Sequence, residues 1–224
     1  VGAPWATHLI VTARTGGGQR DAQGVSVFLV DKNAKGVTTR DYPTVDGQRA
    51  SEVTFENVSV GVEALIGAEG HGLPLVEKVM DEAIAATCAE ACGVLRRLQE
   101  GTVEYTRTRK QFGVPISSFQ VLQHRMVDMF IQLEQSISMT YMATIRLSDE
   151  AHARAQAISA AKVQIGKACR FVGQNAVQLH GGMAITDEMA IGHYFKRATM
   201  IEGVFGSTDH HLARYEALSF GKAA

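Results

Sequence analysis

Apolar residues first alternate with polar ones in short stretches, and then recur every three to four positions through the rest of the chain. His8–Arg14, Val25–Val30 and Glu52–Val60 combine β-branched and aromatic residues at period two, which predicts half-buried strands. Turn chemistry separates them at Thr15-Gly16-Gly17-Gly18, Asp31-Lys32-Asn33 and Asp46-Gly47. Such spacing predicts an antiparallel sheet, a partial sandwich or barrel, over residues 1–72. From about Pro74 the period lengthens. Leu75–Arg107 carries no proline and is rich in Ala, Leu and Glu, so it predicts one long helix. A second should start at Ser117 or Ser118 as N-cap and bury Leu122, Met126, Met129, Leu133, Ile137 and Tyr141. A third is expected over about 151–179, with Ala157, Ala161, Ile165, Ala168 and Val172 on one face and Gly181-Gly182 at its end. Shorter helices should follow at about 187–200 and 208–219. The fold class expected is therefore α+β: a partial antiparallel β domain (1–72), then an antiparallel four-helix-bundle-like C-terminal domain (73–224).

Composition narrows the function. With 224 residues, 46% of them hydrophobic, the chain can bury a substantial core. Its 22 Lys and Arg against 23 Asp and Glu leave no basic excess of the kind nucleic-acid binders carry. No apolar run reaches the length of a membrane-spanning helix. Three cysteines do not make a disulfide framework, and a reducing, cytoplasmic setting is expected. The start at Val1 reads as the cut edge of a longer protein.

Three segments carry candidate chemistry. Arg107, Arg109, Lys110 and Arg125 flank a Gly113 turn beside Phe112 and a helix start. A guanidinium there can grip a phosphate; equally, the cations can simply complement a helix C-terminus. Gln178-Leu179-His180-Gly181-Gly182 offers an amide and bare backbone to a polar ring or ribose, or is a helix C-cap with an incidental Gln. Phe205-Gly206-Ser207-Thr208-Asp209-His210-His211 is a Gly turn entering a helix, with Ser207 or Thr208 as N-cap. Cys88 and Cys92 lie at i, i+4 among small residues and read as core packing. No metal site is expected.

In order, Arg109-x-x-Phe112-Gly113, Phe119-Gln120, Gln178-x-x-Gly181-Gly182 and a Gly-Ser/Thr turn before the last helix resemble the acyl-CoA dehydrogenase family. Val53-x-Phe55-x-Asn57-Val58-x-Val60 followed by Leu65-Ile66-Gly67 is similar to that family's exit from its β domain. The resemblance implies the later part of the β domain and the whole C-terminal domain of an FAD-dependent enzyme that desaturates acyl-CoA thioesters, with electron-transfer flavoprotein as acceptor. It implies FAD contacts for Arg109, Phe112 and Gln120, for Gln178, Gly181 and Gly182 at the adenine-ribose end in a neighbouring subunit, and for Ser207 and Asp209. A carboxylate at Asp209 would repel a pyrophosphate.

The family's catalytic Glu falls on Phe205, or in a minority of members near Ala83, so neither position holds a carboxylate. Glu82 and Glu202 are the remaining candidates, although one helical position turns Glu82 by about 100° from Ala83. The stretch from His193-Tyr194-Phe195-Lys196-Arg197 through Leu212 is similar to the small, Glu-lacking subunit of a heteromeric, pimeloyl-CoA-type dehydrogenase. In that reading Phe205 is an apolar plug, a role compatible with a core Phe after a turn. The alternatives are a self-sufficient dehydrogenase using Glu202 or Glu82, or a non-catalytic stabilising paralogue.

Overall fold

The computed structural model describes residues 1–221. Two compact units divide at Val79 and Met80. In the first, β1 (His8–Arg14) pairs antiparallel with β2 (Val25–Asp31), from His8 opposite Asp31 to Arg14 opposite Val25. The alternation of half-buried and exposed residues in β1 matches its sequence period. β3 (Val37–Pro43) and β4 (Arg49–Phe55) form a hairpin, and β5 (Leu65–Ile66) adds to β2. Val27, Val30 and Ala50 form the buried centre of this unit. The sheets are an open three-stranded and a separate two-stranded one, so the described strands close no barrel.

Two sequence expectations shift here. The third expected strand runs from Arg49 to Phe55 and stops there, because Asn57 takes a positive φ of 51° and turns the chain out of the extended conformation. β3 is additional to the expected strands: six of its seven residues are exposed, so no apolar alternation marks it.

α1 (Leu73–Thr108) leads into the helical unit. There α2 (Gln120–Ile145), α3 (Ala151–His180), α4 (Ala190–Gly203) and α5 (Thr208–Phe220) follow, giving the α+β architecture expected. α3 is the central helix: more than half of its residues are buried, Ile158, Ala161, Ile165, Ala168 and Val172 fully. They pack with Cys88, Leu95 and Leu98 of α1, Met129 and Leu133 of α2, and Ala198 and Ile201 of α4. Burial at this density, roughly 25 cal/mol per Å² of apolar surface, is the main favourable term holding the helices together.

Asp81, 1% exposed, adds a polar tie: Arg154 Nε of α3 and Arg214 Nη2 of α5 donate to its two oxygens, each at 3.0 Å. α2 begins at Gln120, later than Ser117 or Ser118, which lie in a 3₁₀ turn, Ile116–Ser118. The Ser118 hydroxyl donates to the Pro115 carbonyl and caps nothing. The α2 stripe also departs at its end, where Tyr141 is exposed and Thr140 and Ala143 are buried instead. No helix among the described residues is long and apolar enough to cross a membrane.

Candidate functional site

Two aromatic-glycine turns and the end of α3 carry the candidate residues. After the last turn of α1, where the Arg109 amide donates to Tyr105 at 2.8 Å, a small hairpin pairs β6 (Lys110–Gln111) with β7 (Val114–Pro115). Its two central residues, Phe112 and Gly113, have φ of 57° and 82°. Positive φ at both central positions is the type I′ hairpin geometry, which suits glycine and strains a phenylalanine. Phe112 is nevertheless 91% exposed, touching Phe119 edge-on at 6.1 Å between ring centres.

Arg109, Lys110 and Gln120 are exposed beside it. α2 starts after Phe119, whose carbonyl accepts from the Leu122 and Gln123 amides at 3.0 and 3.2 Å, while no side chain caps the helix start, leaving the Gln120 and Val121 amides at the positive end of the helix dipole. Arg125, the fourth cation, donates to Asn175 Oδ1 at 3.3 Å and so ties α2 to α3.

The end of α3 lies beside the end of α1. His180, 3% exposed, stacks on Tyr105 with ring centres 4.3 Å apart, and the Tyr105 hydroxyl donates to the His180 carbonyl at 3.4 Å. His180 Nδ1 pairs with the Ala176 carbonyl at 2.8 Å; since a carbonyl only accepts, Nδ1 carries the proton. Burial pushes the ring's pKa below the usual value, keeping it neutral. Gln178, Gly181 and Gly182 are exposed, and Gly181 adopts φ 61° to close the helix. A groove of about 480 Å³ adjoins them, with Glu104, Tyr105, His180 and Tyr194 in its walls.

The second aromatic-glycine turn joins α4 to α5. Phe205 has φ 59° and Gly206 φ 109°. At Gly206 a Cβ would stand 2.5 Å from His210 Cδ2 and 2.9 Å from His211 Nε2, so only glycine fits. Beneath the turn lies Lys162, fully buried, whose ammonium donates to the carbonyls of Ile201, Glu202 and Gly206 at 3.0, 2.8 and 2.9 Å. His211 Nε2 donates to the Phe205 carbonyl at 2.9 Å, and its Nδ1 meets the Ser159 hydroxyl at 3.4 Å. Burial first, then the nearby basic groups Lys162, His210 and Arg214, outweigh the hydrogen bond to the Phe205 carbonyl and push the His211 pKa down to about 4.

Ser207 caps α5, its Oγ accepting from the His210 amide at 3.3 Å, and exposed Asp209 sits in the first turn, where negative charge complements the dipole. Phe205 itself is 38% exposed, so it is a surface aromatic and not a core one.

Neither candidate carboxylate stands free at the Phe205 position. Glu202 Oε1 accepts from the amide and hydroxyl of Thr208 at 3.1 and 3.0 Å and from Arg170 at 3.4 Å. Burial alone would raise its pKa, but Thr208, Arg170 and Lys162 outweigh burial and hold it below the usual carboxylate range. A base works best with a pKa near the working pH, so this one is poorly suited. Glu82 is exposed on α1, and the buried acid beside it is Asp81, already committed to two arginines.

The structure thus brings Arg109, Phe112, Gln120, Gln178, Gly181 and Gly182 to the ends of α1 and α3. Ser207, Asp209 and Phe205 lie elsewhere: Lys162, under their turn, is sixteen residues before Gln178, roughly 24 Å along α3 at 1.5 Å per residue. Cys88 and Cys169 are buried thiols pushed up to about 12 by desolvation, and Cys92 packs with Thr140. No group of three His, Cys, Asp or Glu residues among those described could hold a metal ion.

Comparisons with known proteins converge on the same stretches. Residues 70–216 match the family model described as acyl-CoA dehydrogenase, C-terminal domain, and residues 1–58 match acyl-CoA dehydrogenase, middle domain. The probable acyl-CoA dehydrogenase FadE25 of Mycobacterium tuberculosis is 28% identical over 201 residues, covering 88% of this chain and 51% of that protein. Among solved structures, the FAD complex of PigA superposes with a TM-score of 0.88 at 28% identity, over 96% of this chain and 56% of that one. The ChsE4-ChsE5 complex from Mycobacterium tuberculosis gives 0.83 at 25% identity, over 94% and 55%. The chain spans about half the length of the curated relatives it matches.

Proposed function

The chain belongs to the acyl-CoA dehydrogenase family, and from that premise we propose that it is the later half of an FAD-dependent acyl-CoA dehydrogenase subunit that lacks its own catalytic base. The observation that carries this reading is the Phe205–Gly206 turn, which presents an aromatic ring where the family resemblance puts the Glu, while Glu202 is spent on capping α5. The base is then supplied by a paralogous, Glu-bearing subunit, as in pimeloyl-CoA-type enzymes. That a protein of similar structure is a ChsE4-ChsE5 complex supports a two-chain assembly. The substrate class is acyl-CoA, the electron acceptor is electron-transfer flavoprotein, and the setting is the cytoplasm.

The residues present fit FAD. The Gln120 and Val121 amides at the uncapped start of α2 and the Arg109 guanidinium suit a pyrophosphate, and Gln178 with the bare backbone of Gly181 and Gly182 suits the adenine-ribose end. Phe112 offers a ring face for stacking, and Gln120 adds a polar contact. The Ser207 hydroxyl accepts from His210 yet keeps its own proton to donate. Asp209 sits in the first turn of α5, where its carboxylate complements the helix dipole but would still repel a phosphate.

When bound, FAD supplies the acceptor for the hydride that leaves the β-carbon as the α-proton is removed. Phe205 cannot accept that proton. The proton then goes to a carboxylate of the partner. The separation of the two clusters along α3 supports sites shared across a subunit interface, with Arg109 and Gln178 reaching a neighbour's cofactor.

The test is purification of the full-length protein alone and together with its paralogous partner. Flavin and desaturation found only in the pair are expected. Desaturation by the lone protein overturns the reading, and activity that survives Glu202→Gln in such a lone enzyme excludes Glu202 as its base.

A further inference from the structure

We propose that Lys162 is the positioning residue of the Phe205–Gly206 turn: its ammonium holds the turn in its left-handed form and so sets where Phe205 and the start of α5 meet the bound flavin. The second half of this statement rests on the functional reading above.

A fully buried ammonium is expensive unless each of its protons is matched, and Lys162 has no carboxylate partner among the described ion pairs; its three donors all reach carbonyls. Ile158 and Ile165, one helical turn to either side, are fully buried, so a Leu or Met would serve plain packing. What the ammonium adds is a fixed geometry. The Ile201 and Glu202 carbonyls belong to the last turn of α4, where helical partners run out, and the Gly206 carbonyl lies across the turn from them. One nitrogen therefore staples the end of α4 to the entry of α5.

On the adjoining peptide, His211 Nε2 holds the Phe205 carbonyl. With consecutive carbonyls gripped, Phe205 stays at a φ of 59° that an aromatic residue otherwise disfavours. The clamp thus acts through the backbone of the turn, and its output is the aim of the Phe205 ring and of the Ser207 hydroxyl.

This makes a specific prediction about coupling, read on the full-length protein in its flavin-bound pair. Glycine adopts positive φ freely, so Phe205→Gly should remove the need for the clamp. Lys162→Met should speed hydrogen exchange of the amides from Gly206 to His211 by tenfold or more, leave α1 peptides unchanged, and alter the visible circular dichroism of bound FAD. In the Phe205→Gly background the same Lys162→Met change should move both readings less than twofold. Unchanged exchange in the turn, an equal effect in the Phe205→Gly background, or faster exchange with an unmoved flavin signal would each overturn the proposal. Should Lys162→Met fail to fold, Lys162→Gln, which keeps two donors, is judged by the same criteria. A full-length pair without FAD contradicts the flavin reading, whereas the exchange cycle alone decides whether Lys162 holds the turn.

Discussion

The two aromatic-glycine turns share a backbone conformation and differ in what enforces it. Phe112-Gly113 and Phe205-Gly206 both place a phenylalanine and then a glycine at positive φ. The first is the tip of a two-residue hairpin, held by ladder bonds and by the Ile116 amide on the Arg109 carbonyl. The second is held from inside the helical unit by Lys162, His211 and the capping carboxylate of Glu202. Strain of this kind persists only where the surroundings over-determine it. At the hairpin tip the geometry is local, so the turn can yield to a ligand. At the α4–α5 turn it is built into the core, so it presents one fixed shape. Under the proposed function, the hairpin would grip the cofactor and the α4–α5 turn would face the substrate, roles that call for those two behaviours respectively.

The framework behind the clamped turn should give the largest effect. Asp81→Ala leaves Arg154 and Arg214 without their shared carboxylate, and thermal or urea unfolding should show a loss of about 3–5 kcal/mol. A loss under about 1 kcal/mol, the scale of an exposed pair, would mean that α5 is anchored by packing alone.

Alanine in place of each turn glycine separates the two regions directly. Gly206→Ala meets both histidine rings and should cost about 3 kcal/mol, while Gly113→Ala points into open space and should cost about 1 kcal/mol from backbone strain alone. Equal costs would break the distinction.

Acid should loosen the clamped turn and not the hairpin. His211 has a folded pKa of about 4 against 6.5 for an ordinary histidine. Between these values the unfolded chain binds the extra proton, so this stabilisation is complete above about pH 6.5 and is lost as pH falls toward 4. The loss is on the order of 3 kcal/mol. His211→Gln should flatten that part of the stability-pH curve, and an unchanged slope would exclude His211 as its source.

Smaller effects belong to the hairpin. Arg109→Ala should weaken FAD retention roughly ten- to hundredfold through the loss of a charge-assisted bond, read by flavin release on dilution. Phe112→Gly relieves an exposed, strained residue and should raise stability by up to about 1 kcal/mol while also lowering FAD retention. Stability and retention moving the same way would argue against strain kept for binding.

Much of this is legible from residue order, and the gaps have physical causes. The long helices follow from apolar period, because α1 and α3 bury continuous stripes. β3 does not, since a hairpin strand exposed on six of seven residues carries no alternation. Ser117 and Ser118 look like N-caps, but a hydroxyl caps only if the chain turns at it, and Pro115 and Ile116 turn the chain earlier.

The candidate residues at the ends of α1 and α3 are readable because glycine and arginine there are exposed motifs. Their supporting residues are not. Lys162 leaves one signal, a cation on a helix face flanked at four and three positions by Ile158 and Ile165, and nothing local marks His211 as buried. Asp81 is overshadowed by its neighbour Glu82, since one helical position decides which carboxylate faces inward. Positive φ at Phe205 is a tertiary outcome, and at Phe112 it is set by the hairpin; phenylalanine announces neither.

The central claim, that the Phe205 turn leaves this subunit without a base, is tested most directly by α-proton exchange. The full-length protein without its partner, in D₂O with an acyl-CoA and added FAD, should leave the α-protons of the thioester at their uncatalysed exchange rate by NMR, and Phe205→Glu should accelerate their loss. Exchange catalysed by the unaltered lone protein would contradict the account.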